Sequence, residues 1–185
     1  MARRGGARRE GGRMIYCFTG MPLAGKTTWS KRFAEQAGLP RLSTGDYARS
    51  LGMGNEASIR TLDQSLIYDD AIRRRVSSFL EESGSGCVLD GYPRSREQYA
   101  FLEARHCPFK VVFMTANPVV IFDRLESRAK AGGRPEDERE TVLGRVRRSV
   151  EWRLELKALA GDSFMDTPEE EGYEGLLRRL KCAGS

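Results

Sequence analysis

The chain has 185 residues, 39% hydrophobic and 31% charged, which suits one domain with a continuous core. No apolar run approaches the ~20 residues that span a bilayer, and the basic start is not followed by an apolar stretch of leader type, so neither a membrane helix nor a secretory signal is expected. The formal charge of +5 suggests a nucleic-acid partner, but residues 1–13 carry five arginines against one glutamate, which leaves the rest of the chain nearly neutral.

That Arg/Gly-rich tail lacks apolar periodicity and is expected to be disordered, making at most a weak contact with a polyanion. The four cysteines, Cys17, Cys87, Cys107 and Cys182, are widely spaced with no C-x-x-C pair. Such usage fits a reduced, cytoplasmic setting, with Cys17 and Cys87 as small core residues in apolar runs. His106 is the only histidine, so a histidine base or a histidine-rich metal site is not expected.

Strand patterns alternate with helical ones along the chain. Strands are predicted at Ile15–Phe18, Arg41–Ser43, Cys87–Leu89, Lys110–Met114 and Ser163–Met165. Helices are predicted near Lys26–Gln36, Asp69–Glu82, Arg96–Ala104, Pro118–Lys130, Glu138–Leu159 and Glu169–Leu180. This alternation predicts an α/β three-layer sandwich, a five-stranded parallel sheet with helices on both faces. Right-handed crossovers then collect the ligand loops at the carboxyl edge of the sheet. Two segments break the alternation, an insert over residues 44–68 and a Gly/Pro-containing link over 131–137. Both are candidate moving parts.

The strongest motif follows the first strand. Gly20-Met21-Pro22-Leu23-Ala24-Gly25-Lys26-Thr27 matches G-x-x-x-x-G-K-[ST] without a mismatch, between a strand and a helix as a phosphate loop requires. Its glycines let backbone N–H groups turn toward an anion, and the helix that follows adds its positive end. Lys26 can reach the outer phosphates and the Thr27 hydroxyl can meet Mg²⁺. After the second strand, Ser43-Thr44-Gly45-Asp46 reads as a helix cap with Arg49 one turn on. After the third, Asp90 stands at a strand's carboxyl end, where a carboxylate directed at Mg²⁺ belongs, and Arg94 offers a planar fork to phosphate. Arg124 and Arg128 share a helix face at i, i+4 spacing. Arg134, Glu136, Asp137 and Arg145 surround the short link.

In this order, G-M-P-L-A-G-K-T-T, S-T-G-D-Y-A-R, L-D-G-Y-P-R-S-R-E-Q, D-R-L-E-S-R and G-R-P-E-D with Arg145 after it, the chain resembles the adenylate kinase family of P-loop nucleoside monophosphate kinases from Met14 to Leu180. The P-loop is generic, whereas L-D-G-[FY]-P-R is close to specific for that family. The resemblance implies reversible Mg²⁺-dependent transfer of the ATP γ-phosphate to a nucleoside monophosphate, AMP, by a monomer. It implies a kinase domain over residues 14–185, with 44–68 as the acceptor-binding insert and 131–137 as a short lid. ATP contacts are implied at Gly20, Leu23, Ala24, Gly25, Lys26, Thr27, Thr28 and Arg124. AMP contacts are implied at Thr44, Arg49, Leu66, Ile67, Gly91, Arg94 and Gln98. Lys26, Arg94, Arg128, Arg134 and Arg145 would act on the transferring group, Glu136 and Asp137 would pair with lid arginines, and Thr27 and Asp90 would serve Mg²⁺.

The chain also departs from the family pattern. Leu23 and Thr27 stand where glycine is usual, so Leu23 is expected to alter the loop's shape. The insert is short, and Asp166-Thr167-Pro168 lacks a glycine expected after the last strand. The alternatives are a kinase for another nucleoside or deoxynucleoside monophosphate, or a nucleotide-dependent RNA- or ribosome-associated factor on the same fold.

Overall fold

The computed structural model describes residues 13–52, 62–84, 86–133 and 137–182, with side chains described outside 62–67, 169, 181 and 182. Most of the expected tail, residues 53–61 of the insert and 134–136 of the lid fall outside the described residues.

Five strands form the sheet: β1 (Met14–Gly20), β2 (Arg41–Ser43), β3 (Gly86–Asp90), β4 (Phe109–Thr115) and β5 (Phe164–Pro168). All neighbouring pairs are parallel, in the order β2-β3-β1-β4-β5. The helices are α1 (Lys26–Ala37), α2 (Thr44–Ser50), α3 (Leu62–Glu82), α4 (Arg96–Glu103), α5 (Pro118–Lys130), α6 (Arg139–Ala160) and α7 (Gly172–Cys182). Among the described residues no helix is long and apolar enough to cross a membrane.

The two-residue period of a strand divides the core. Ile15 and Cys17 of β1 point to one side, where they meet Ile72 and Val76 of α3, Leu102 of α4 and Leu156 of α6. Phe18 points to the other, with Phe33 of α1, Ile121 of α5 and Leu176 of α7. Both faces are covered, so every residue of β3 is buried, as a parallel sheet flanked by helices requires. The expected three-layer fold is present.

Element ends differ from the sequence reading where local chemistry intervenes. Helix α3 starts at Leu62 rather than Asp69; residues 62–68 contain neither glycine nor proline to stop it. Helix α7 starts at Gly172 rather than Glu169, because Gly172 is left-handed (φ +68°) and Glu169–Glu171 form a separate 3₁₀ turn. Ser163 likewise closes a 3₁₀ turn, so β5 begins one residue later than expected.

From β1 the chain crosses first to β2 and β3 on one side, then to β4 and β5 on the other. The crevice at the carboxyl end of β1 is therefore the switch point at which such sheets take ligands. Gly20, Ser43 and Asp90 end their strands at that edge.

Candidate active site

The loop between β1 and α1 is held by the sheet. Met21 N–H donates to the Met114 carbonyl at 3.0 Å, and Gly20 (φ +125°) lies so close that a Cβ there would sit 2.2 Å from the same oxygen. Only glycine fits. Gly25 (φ +82°) caps α1 and supplies no side-chain acceptor to the helix's first-turn amides. Those N–H groups and the positive end of the helix face an anion-sized space. Leu23 takes the left-handed conformation (φ +60°) that the family's glycine would adopt without strain. Arg124 Nη1 clamps it by donating to the Leu23 carbonyl at 2.9 Å. The replacement thus keeps a glycine-like turn, at the cost of a left-handed conformation in a residue with a side chain.

A cavity of about 470 Å³ opens over this loop. Leu23, Gly25, Lys26, Thr27 and Thr28 form its floor. Arg49, Arg94, Arg124, Arg128 and Arg145 also line it, as do Asp90 and Asp137. Residues from five separate motifs thus meet in one space. Lys26 Nζ donates to the Met21 carbonyl. Burial, and next the Arg94 guanidinium with help from Arg145 and Arg128, lower the Lys26 pKa to about 7, against an opposing pull from Asp90.

Protein acceptors brace the arginines. Arg94 Nε donates to the Gly91 carbonyl at 2.6 Å, Arg49 pairs with Asp46, and Arg128 Nη1 lies 3.1 Å from Asp137 Oδ1. A guanidinium has five N–H donors, so Arg94 and Arg128 keep donors for a ligand. Gly45 shows how closely the acceptor side converges, because a Cβ there would lie 3.5 Å from Arg49 Nη1 and 3.8 Å from Arg94 Nη2. Gly91 (φ +83°) has the same role beneath Arg94, whose Nη2 would be 2.5 Å from an added Cβ.

Asp90 is buried at the end of β3 (3% exposed). Its Oδ2 accepts from Thr27 Oγ1 at 3.0 Å and from Arg41 Nη2 at 2.5 Å. The two residues expected to serve Mg²⁺ therefore touch each other. Asp137 is the reverse case: Oδ1 meets Arg128, while Oδ2 is buried with no partner among the described residues.

The residues expected to read the acceptor base lie elsewhere. Gln98 is buried (3% exposed) and absent from the cavity wall. Its Oε1 accepts from Arg94 N–H at 2.8 Å, and its Nε2 donates to Asp69 Oδ1 at 2.8 Å. The Thr44 hydroxyl donates to the carbonyls of Asp90 and Gly91 at 3.1 and 3.0 Å. Both tie the D-G-Y-P-R turn to α2, α3 and α4. Gly20 and Ala24 shape the loop beneath the floor. Arg134 and Glu136 lie outside the described residues, as do the side chains of Leu66 and Ile67.

Sequence reasoning missed Trp29, Val142 and Ser43, which also line the cavity, and Arg41 with Ser30 beneath it. The S-T-G-D segment does act as a cap, with Asp46 N–H donating to Ser43 Oγ at 3.2 Å. Asp166 to Pro168, expected to follow the last strand, belong to β5 itself; there Arg153 Nε donates to Asp166 Oδ1 at 3.1 Å and Arg179 Nη1 to the Asp166 carbonyl at 2.8 Å. The segment that lacks the usual glycine is thereby pinned.

A strand, a glycine loop, an uncapped helix end and a ring of cations define a P-loop nucleotide site. Consistent with this, residues 19–143 match the family described as "AAA domain". The chain is 32% identical to a protein named adenylate kinase from Corynebacterium glutamicum (strain R), over 89% of this chain and 96% of that protein. It is 33% identical to one of the same name from Mycobacterium leprae (strain Br4923), over 69% of this chain and 75% of the relative. A relative so named from Chlamydia caviae is 30% identical, with this chain spanning 59% of its length. This chain belongs to the adenylate kinase family of P-loop nucleoside monophosphate kinases.

Proposed function

We propose that this chain transfers the γ-phosphoryl group of ATP to AMP, giving two ADP, with Mg²⁺ as cofactor. The observation that carries the reading is the charge of the cavity. Among the described residues, six cationic side chains and two carboxylates line it, and the excess is strong enough to help push Lys26 down to about 7. Such a site is short of negative charge. A triphosphate and a second phosphate would supply it.

In this reading Lys26 and the α1 amides hold the donor phosphates, with Gly20 to Thr28 forming the loop and Arg124 lying against the donor base. Arg49 and Arg94 hold the acceptor phosphate. Arg128 and Arg145, joined by Arg134, converge on the transferring group. The Arg128–Asp137 pair supports a role for Asp137, with Glu136, in pairing with lid arginines. The acceptor oxygen is already an anion at neutral pH, so no general base is required. Catalysis is then alignment and charge neutralisation in a closed cleft.

The residues suit Mg²⁺. Among the described residues no group of three His, Cys, Asp or Glu side chains is placed to hold a metal. A single carboxylate, Asp90, beside a hydroxyl, Thr27, is what an ion carried mainly by water and substrate phosphates asks of a protein. When bound, Mg²⁺ would neutralise charge on the phosphates; the protein's part is to orient Asp90 and Thr27 toward them.

Adenine as the acceptor base rests on Gln98 and Thr44. Because Gln98 Nε2 is committed to Asp69, reading a base would require that bond to be given up. The test is a coupled assay with MgATP and AMP, CMP, UMP, GMP or dTMP. AMP should be fastest; equal rates across the panel would overturn the adenine assignment.

A further inference from the structure

The carboxylate that faces the cavity belongs to a closed ring of hydrogen bonds. Arg41, the first residue of β2, reaches along the sheet edge to Asp90, its Nη2 donating to Oδ2 at 2.5 Å. Its Nε donates to Ser30 Oγ at 2.9 Å. Ser30, on the first turns of α1 and fully buried, donates in turn to the Thr27 carbonyl at 3.2 Å. Thr27 Oγ1 closes the ring on Asp90 Oδ2 at 3.0 Å. Asp90 and Thr27 line the cavity; Arg41 and Ser30 do not.

We infer that Arg41, tethered by Ser30, is a positioning residue that fixes the Asp90 carboxylate for the divalent metal of the transfer reaction. This rests on the proposed kinase reading. Both bonds from the ring fall on Oδ2, so Oδ1 takes no part in the ring. The planar guanidinium matches the role, because two of its nitrogens hold two partners at once and set the rotation of the carboxylate. The ring also joins three elements, β2, α1 and β3. The acceptor side, which starts at Ser43 just beyond Arg41, is thereby linked to the phosphate loop.

Positioning and simple charge balance predict opposite signs. Arg41 is a cation beside the group that faces a cation, so by charge alone its removal would tighten metal binding. If Arg41 works by orientation, its removal weakens metal binding, because a freed carboxylate can turn toward the cavity's arginines. Loss of such an outer partner typically costs about 10- to 100-fold in metal affinity.

The test measures Mn²⁺ binding to the protein–ATP complex by electron paramagnetic resonance, alongside the Mg²⁺ dependence of turnover and the affinity for ATP in EDTA. Arg41→Gln should weaken Mn²⁺ binding about 10- to 100-fold and raise the Mg²⁺ requirement in parallel. Affinity for metal-free ATP should stay within about twofold, since Arg41 does not line the cavity. Ser30→Ala keeps every charge and removes only the tether. It should weaken Mn²⁺ binding in the same direction, by about tenfold at most, and it carries the test if Arg41→Gln does not fold. Tighter Mn²⁺ binding in Arg41→Gln would reduce Arg41 to a counter-charge. A lower melting temperature with unchanged metal affinity would reduce it to a structural brace. Either result overturns the inference while leaving the kinase reading intact. If the unmodified protein shows neither metal-dependent ATP binding nor turnover, the kinase reading fails and Arg41's role fails with it.

Discussion

Lys26, Arg94 and Arg128 turn their cations into one cavity, whereas Gln98 and Thr44, the residues expected to read the acceptor base, commit their polar groups to the protein itself. In the proposed reading, the phosphate half of the site is therefore preformed and base recognition is not. The difference follows from what each half requires. Phosphate binding needs backbone amides at a fixed turn and charge at a distance, and a rigid sheet edge supplies both. Base recognition needs specific donors and acceptors against one ring edge, and the residues expected to supply them, Thr44 of α2 and Gln98 of α4, are bonded instead to the turn after β3 and to Asp69 of α3.

The largest effects should come from the preformed half. Lys26→Ala or Arg94→Ala should lower kcat by about 10³-fold or more, the scale on which removing a cation from a phosphoryl-transfer site acts. The circular dichroism of both variants should be unchanged, since neither side chain belongs to the core. Near-normal turnover in either purified variant would contradict the assigned roles.

The same half should respond to pH. In the free protein Lys26 has a pKa of about 7. Phosphate oxygens beside it favour the ammonium form and raise that value, so binding ATP takes up a proton above pH 7. Affinity should then fall by up to about tenfold per pH unit on going from pH 7 to 9. Calorimetry in buffers of different ionisation enthalpy should report close to one proton taken up near pH 8.5. Stability without ligand runs the other way. The unfolded lysine, near 10.5, binds more protons than the folded one between pH 7 and about 10, so the ligand-free fold gains stability as pH rises through that window. An ATP affinity independent of pH would show that Lys26 is not held in this environment.

Gln98→Ala sharpens the contrast between the halves. It leaves Arg94 N–H and Asp69 without their partners, which should cost about 1–3 kcal/mol of stability. If Gln98 also reads adenine, the preference for AMP in the acceptor panel should erode as well. A stability loss with specificity intact would make Gln98 a brace for the phosphate half alone. The smallest effect is expected at Leu23. A left-handed non-glycine residue costs about 1–2 kcal/mol, but Leu23 also packs against buried side chains. Leu23→Gly should therefore change stability by about 1 kcal/mol or less and leave the ATP KM close to its original value, as a melting curve and a saturation curve would register.

The sequence announced the phosphate half because its signals are local. The glycines at 20, 25 and 91 and the arginines at 94, 124 and 128 sit at fixed offsets from strand ends or on one helix face, and the fold delivers them to one edge. The central strands β1, β3 and β4 were legible for the same reason, since each carries an apolar run. The Arg41–Asp90–Thr27–Ser30 ring left no such trace. Its members are separated by up to 63 positions and meet only once β2, β3 and α1 are packed. Gln98 was misleading in the other direction: its place in the motif suggests a ligand contact, while its bond to Asp69 depends on where α3 lies. The glycine-like turn at Leu23 was hidden by its side chain.

The central claim is that this cavity passes a phosphoryl group between two nucleotides and does not give it to water. Purified protein given ATP labelled at the γ-phosphate, with Mg²⁺ and unlabelled AMP, tests it directly. The label should move to the β-position of ADP, and little should be released when AMP is left out. Label released as inorganic phosphate at the same rate with or without AMP would contradict the account, as would no transfer of label at all.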